Sequence, residues 1–226
     1  HLGAEVAWDA DTVTIDATGL TSVEAPYELV RQMRASIVVL GPLLARAGQA
    51  RVAMPGGDNI GSRPIDLHIN GLRKMGAQIT SEHGFLQAKA PQGLRGVSIT
   101  LDYPSVGATE NLMMAAVAAR GTTVLDNAAR EPEIADIADF LVAMGAHVDG
   151  AGSSTIEIHG VDGFAPAEHA VIADRIEAGT FAAAASATRG DVTLEGARMD
   201  HLGLFLDKLA GVTDEDRQRF RTSLLA

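Results

Sequence analysis

The sequence contains no cysteine. A disulfide scaffold, a thiolate zinc site and a cysteine nucleophile are therefore excluded, and a reducing cytoplasm is a fitting compartment. Aromatic residues make up only 4% of the chain. Basic charge is scarce too: 18 Lys plus Arg against 29 Asp plus Glu leave a net charge of −11. An overall field that grips nucleic acid or an anionic membrane is not expected from such a balance. Of the basic residues only three are lysine (Lys74, Lys89, Lys208). The charge-free apolar run of about 18 residues needed to cross a membrane is missing, and no signal peptide is visible. The histidines at 1, 68, 83, 147, 159, 169 and 201 show no metal-type spacing. Each reads as a surface or capping residue, and no metal site is expected. There is no P-loop and no GxGxxG opening a helix.

What is present is a globular chain of 226 residues, 46% apolar and 21% charged, long enough for one or two domains. Alanine is abundant, which points to closely packed helices with small side chains. The chain also repeats itself. Leu2-Gly3-Ala4-Glu5-Val6 returns as Met75-Gly76-Ala77-Gln78-Ile79 and as Met144-Gly145-Ala146-His147-Val148. The glycines are 73 and 69 residues apart (76 − 3, 145 − 76). A second marker keeps step. Gly48, Gly121 and Gly190 each follow an Ala-rich helix and precede a β-branched strand, with the same spacings (121 − 48, 190 − 121). A fixed period means one supersecondary unit used several times.

The middle unit reads clearly. Leu112 to Ala119 is an apolar helix, stopped by Gly121 as a left-handed C′ glycine. Thr122–Asp126 is a strand. Ile134, Ile137, Phe140, Leu141 and Met144 form an amphipathic helix that closes at Gly145. His147–Asp149 and Thr155–Ile158 form a hairpin around Gly150-Ala151-Gly152-Ser153. The equivalent strands of the flanking units are Arg51–Met54 and Asp191–Leu194. The result is an α/β repeat of about 70 residues that cannot cover its own apolar faces. The chain starts and stops out of phase with this unit. His1 to Val6 reads like the interior of an element, and Asp214–Ala226 loses the pattern. The expectation is a piece of a longer protein.

Three kinds of segment stand where chemistry is often placed. Pro55 to His68 (PGGDNIGSRPIDLH) is a Gly- and Pro-rich stretch between strand and helix. It suits either backbone-amide contact with an anion or a turn-rich crossover in which Asp58 merely caps a turn. Pro64 is suited to the first helical position, with Arg63 aimed past the helix end. Asp102 to Asn111 (DYPSVGATEN) also runs from strand end to helix, with Ser105 as cap. This is equally an ordinary capped helix start. Arg34, Arg130 and Arg175 stand at element starts and could clamp phosphate or carboxylate. Arg130 and Arg175 have acidic neighbours in sequence, whereas Arg34 has none.

Taken in order, Met33-Arg34-Ala35-Ser36, Pro55-Gly56-Gly57 with Ile60 to His68, Ser105 to Asn111, Asn127 to Glu133 and Asp174 to Thr180 closely resemble the UDP-N-acetylglucosamine 1-carboxyvinyltransferase (MurA) family, from Leu2 to about Leu209. The resemblance implies an α/β fold, an inside-out α/β barrel built from such repeats, with two domains and an active site in the cleft between them. It implies a hinge near His169–Asp174, with residues 1–172 as most of one domain and 173–226 as the start of the other. The implied activity is transfer of enolpyruvyl from phosphoenolpyruvate to the 3′-hydroxyl of UDP-N-acetylglucosamine, without metal or organic cofactor. The substrates are the small-molecule partners, and neither nucleic acid nor membrane is among them. The segment 55–63 resembles a lid that closes over substrate. Asp58 stands where most of the family has a reactive cysteine, implied to be the general acid. A carboxylic acid suits that role if burial raises its pKa. Fosfomycin, which alkylates the family cysteine, is not expected to act here. Arg63, Pro64, Ile65, Asp66 and Leu67 match the uridine-binding stretch, Arg34 a sugar-nucleotide arginine, and Ser105, Val106 and Gly107 the diphosphate turn after Tyr103 and Pro104. Tyr103 departs from a lysine common in the family. A shikimate-type enolpyruvyl transferase, and a non-catalytic fragment, are the other readings.

Overall fold

The repeat is visible first in the sheets. The computed structural model describes residues 1–54 and 65–213, and the chain falls into two compact units, His1–His169 and Ala170–Ala226. The first unit opens with an antiparallel hairpin, β1 (Glu5–Asp9) and β2 (Thr12–Asp16). Next come β3 (Glu24–Ala25), the short α1 (Tyr27–Val30), a 3-10 helix (Arg34–Val39), α2 (Leu40–Ala47), β4 (Gln49–Ala53), α3 (Asp66–Lys74), β5 (Gln78–Glu82) and β6 (Phe85–Lys89). A second series follows: β7 (Ser98–Thr100), α4 (Val106–Ala116), β8 (Thr122–Asp126), α5 (Pro132–Ala143), β9 (His147–Asp149) and β10 (Thr155–His159).

The two four-stranded sheets have the same topology, β3-β4-β6-β5 and β7-β8-β10-β9. In each, the first pair is parallel and the others antiparallel. The register repeats as well. Val52 faces Leu86 in the first sheet and Leu125 faces Ile156 in the second (52 + 73 = 125; 86 + 70 = 156). All four side chains are buried. A slip of one residue would turn every one of them to the other face, so the shared register follows from the shared buried pattern. The marker glycines agree in conformation too. Gly3, Gly76 and Gly145 have φ of 102°, 103° and 102°, a region that side-chain-bearing residues avoid.

The helices, not the sheets, occupy the centre. Strands alternate buried and more exposed positions, as a sheet with one covered face does. Helix α4 is buried nearly all round, through Ala108, Thr109, Asn111, Leu112, Met113, Ala115 and Ala116. The 3-10 helix, α2, α3 and α5 all pack against it. Small side chains make this approach workable, since a Cβ at Gly71 would lie 2.5 Å from Leu112 Cδ2. The expected inside-out arrangement of α/β repeats is thus what unit 1 displays. The β1–β2 hairpin differs: its face of Val6, Trp8, Val13 and Ile15 is exposed.

Unit 2 holds α6 (Arg175–Thr188), a 3-10 turn (Met199–His201) and α7 (Gly203–Ala210). Asp174 caps α6, its Oδ1 accepting from the N–H groups of Ile176 at 2.8 Å and Glu177 at 3.0 Å. The strand expected at Asp191–Leu194 is not formed. In the first two repeats the hairpin partner starts 36 and 33 residues after the strand (85 − 49; 155 − 122). For residue 191 the corresponding position lies outside the described residues. The expected helix stops need a similar correction. Gly48 is the left-handed cap of α2, but α4 ends at Ala116, before a bridge between Arg95 and Arg120, and α6 is capped by Arg189 rather than Gly190. Among the described residues no helix is long and apolar enough to cross a membrane.

Candidate active site

Arg34, the start of α3 and the stretch leading into α4 gather at the N-terminal end of α4. Ser105 is extended (φ −135°, ψ 117°), and its Oγ accepts a long hydrogen bond from the Ala108 N–H at 3.4 Å. Val106 and Gly107 form the first turn, which carries no acidic side chain. Its remaining N–H groups and the helix dipole favour an anion there. Tyr103 and Pro104 lead into this turn and are exposed. Arg34 begins the 3-10 helix that packs on α4, and it is half-buried.

Two buried polar residues bind these pieces together. Asn111 Oδ1 accepts the Gly41 N–H at 2.7 Å, while its Nδ2 donates to the Ile37 carbonyl at 3.3 Å and meets His68 Nδ1 at 2.9 Å. A backbone N–H can only donate, so Gly41 fixes which way the amide faces. Nδ2 then points its hydrogen at His68, whose Nδ1 must accept, and the imidazole proton sits on Nε2. Burial pushes the His68 pKa down to about 4; the charge of Arg34 adds to this and Asp66 opposes it. His68 is therefore a neutral donor near pH 7. Burial and the charge of Glu133 raise the pKa of Glu110. Thr109 Oγ1 accepts from Ala129 N at 3.1 Å, anchoring the Asn127–Arg130 stretch to the same helix.

The structure thus brings Arg34, the start of α3 and the Ser105–Gly107 turn to one locality. Asp66 is exposed on the first turn of α3, whereas the side chains of Ile65 and Leu67 pack in the core. Helix α3 begins at Asp66, so the first helical position expected for Pro64 belongs to Asp66. Asp58, Arg63 and Pro64, with the whole 55–63 segment, lie outside the described residues. Among the described residues no cluster of three metal-type ligands occurs. A half-buried arginine, a neutral imidazole N–H and a helix start free of acid suit a phosphorylated ligand.

The EPSP synthase (3-phosphoshikimate 1-carboxyvinyltransferase) family profile matches residues 1–218. The chain belongs to this family. Within the family it is 57% identical, over 208 residues, to a UDP-N-acetylglucosamine 1-carboxyvinyltransferase of Corynebacterium jeikeium, an alignment covering 92% of this chain and 50% of that protein. It is 53% identical over 218 residues to the enzyme of the same name from Trichlorobacter lovleyi, covering 96% and 52%. The chain spans about half the length of these curated relatives. Among solved structures, the enolpyruvyl transferase NikO from Streptomyces tendae matches with a TM-score of 0.68 at 26% identity, over 81% of this chain and 44% of that one. An EPSP synthase from Acinetobacter baumannii shares the fold, with a TM-score of 0.59 at 23% identity over 82% and 42%. The expected fold class of enolpyruvyl transferases is therefore the one observed.

Sequence reasoning placed all histidines at surfaces or caps, and this is wrong for His68, which is buried. It also passed over Asn111. Both had a visible signal. His68, Gly71, Leu72 and Met75 share i, i+3, i+4, i+7 spacing, as do Ala108, Asn111, Leu112 and Ala115. A polar residue in such a stripe is a core residue that needs a partner.

Proposed function

We propose that the protein transfers the enolpyruvyl group of phosphoenolpyruvate to the 3′-hydroxyl of UDP-N-acetylglucosamine, releasing phosphate, in the cytoplasm, as the first committed step of peptidoglycan synthesis. The observation that carries this reading is the convergence of Arg34, His68 and the capped start of α4 on an anion-receiving end. Support comes from the name borne by relatives 57% and 53% identical to the chain.

In this reading the Ser105–Gly107 turn receives the diphosphate and Arg34 the sugar nucleotide. The stretch Arg63–Leu67 holds the uridine. The sugar 3′-hydroxyl adds through its oxygen to C2 of phosphoenolpyruvate and gives up its own proton to solvent, while Asp58 delivers a proton to C3. The tetrahedral adduct then loses phosphate and a C3 proton to restore the double bond. Residues 1–172 belong to the domain that holds the nucleotide and 173–226 to a second domain. The test uses the full-length protein. Asp58→Ala should lower turnover by at least about a hundredfold, and Asp58→Cys should retain it. Fosfomycin should leave the native protein active and inactivate Asp58→Cys. Unchanged turnover in the alanine variant, or covalent labelling of native Asp58, would contradict the assignment.

A further inference from the structure

The His68–Asn111 pair has no counterpart in the repeat. The spacing of Gly48 and Gly121 places Val38 where the second repeat has Asn111 (111 − 73 = 38). The spacing of Gly76 and Gly145 places Ile137 where the first repeat has His68 (68 + 69 = 137). Val38 and Ile137 both pack against the core. The scaffold therefore closes with apolar side chains at these positions. A buried amide and imidazole contribute little net stability over well-packed apolar groups and fail badly if one partner is lost. Each polar residue occurs in only one of the two repeats, His68 in the first and Asn111 in the second, and this calls for a role beyond folding.

The polarity of the chain of bonds supplies it. The Gly41 N–H donates to Asn111 Oδ1, Asn111 Nδ2 donates to His68 Nδ1, and His68 is left with its proton on Nε2. Reversing the imidazole would set an Nδ1–H against an amide N–H. Reversing the amide to suit it would strip Gly41 of its acceptor. Nε2 makes no hydrogen bond among the described residues, and it faces the first turn of α4: a Cβ at Gly107 would lie 3.7 Å from it. We propose that Asn111 is a positioning residue that locks His68 in the Nε2–H form, so that His68 presents a neutral donor beside the start of α4 to a phosphoryl oxygen of the bound sugar nucleotide. The identity of that ligand rests on the function proposed above; the lock does not.

Protein labelled with 15N in its imidazoles separates the two. At neutral pH the His68 resonances should show Nε2 protonated and Nδ1 bare, with Nε2 responding to added UDP-N-acetylglucosamine. In Asn111→Asp the carboxylate keeps the Gly41 contact but draws a proton to Nδ1, and affinity for the nucleotide sugar should fall. His68→Phe should weaken binding about tenfold or more, as loss of a bond to a charged group does. His68→Gln, which retains an N–H at that reach, should stay within about threefold of wild type. A proton on Nδ1 in the wild-type protein overturns the lock without recourse to any variant. Wild-type affinity in His68→Phe overturns the donor role. Failure of the wild-type protein to bind the nucleotide sugar, with Nε2 protonated, sinks the functional reading and the phosphoryl acceptor while bearing out the lock.

Discussion

The first two repeats share sheet order, register and marker-glycine conformation, yet their helices start in different ways. Helix α2 emerges from a 3-10 helix with no side-chain cap, whereas α4 starts from Ser105 and carries Thr109 and Asn111, both fully buried. What repeats is the part that must be covered by apolar contact. What differs is the polar chemistry at one end of the central helix. The comparison teaches that in a repeat fold the candidate site lies where the repeat is broken, because selection for packing alone has no reason to distinguish Asn111 from Val38.

That contrast can be broken by exchange. Asn111→Val copies the first repeat into the second and should destabilise the protein by about 4 kcal/mol, since Gly41, Ile37 and His68 each lose a buried partner. Adding His68→Ile, the residue type of the other repeat, should restore at least about 1 kcal/mol. Denaturant titrations of the four proteins of this cycle measure it, and strict additivity would show that the pair is not coupled. The pH dependence comes next in size. His68 has a folded pKa near 4 against an ordinary value of 6.5, so the unfolded chain binds the extra proton first as pH falls. Stability should therefore decline between pH 6.5 and 4, by up to about 3 kcal/mol, and stay level above pH 6.5. His68→Ile should flatten that part of the profile.

Two smaller effects sharpen the likeness rather than the difference. Gly76→Ala and Gly145→Ala force a side chain into φ near 103° and 102°, so each should cost about 1–2 kcal/mol. Near-equal losses would confirm that the marker serves one backbone purpose in both repeats. Ser105→Ala should cost only about 0.5 kcal/mol, at the low end for a cap because the bond is long at 3.4 Å.

Much of this fold was legible in the chain because it is written twice. Thr122–Asp126 and the His147–Asp149 strand are where the pattern predicts them, since alternation and turn glycines act locally. The helix stops were less legible. Gly121 does have a positive φ of 91°, but it follows a bridge residue, and only the sheet pairing of Arg120 shows that. The strand expected at 191–194 is not formed although its residues suit one, since strand formation also depends on pairing that local pattern does not encode. The site divided in the same way. Ser105 and Arg34 could be read as end-of-element residues. The meeting of His68, from α3, with Asn111, from α4, depends on packing 43 residues apart, which no local pattern encodes.

The most direct measurement is phosphate release from phosphoenolpyruvate by the full-length protein, with UDP-N-acetylglucosamine or shikimate 3-phosphate as acceptor. Release should require UDP-N-acetylglucosamine and yield one enolpyruvyl sugar nucleotide per phosphate. Release with shikimate 3-phosphate alone, or with neither acceptor, would contradict it.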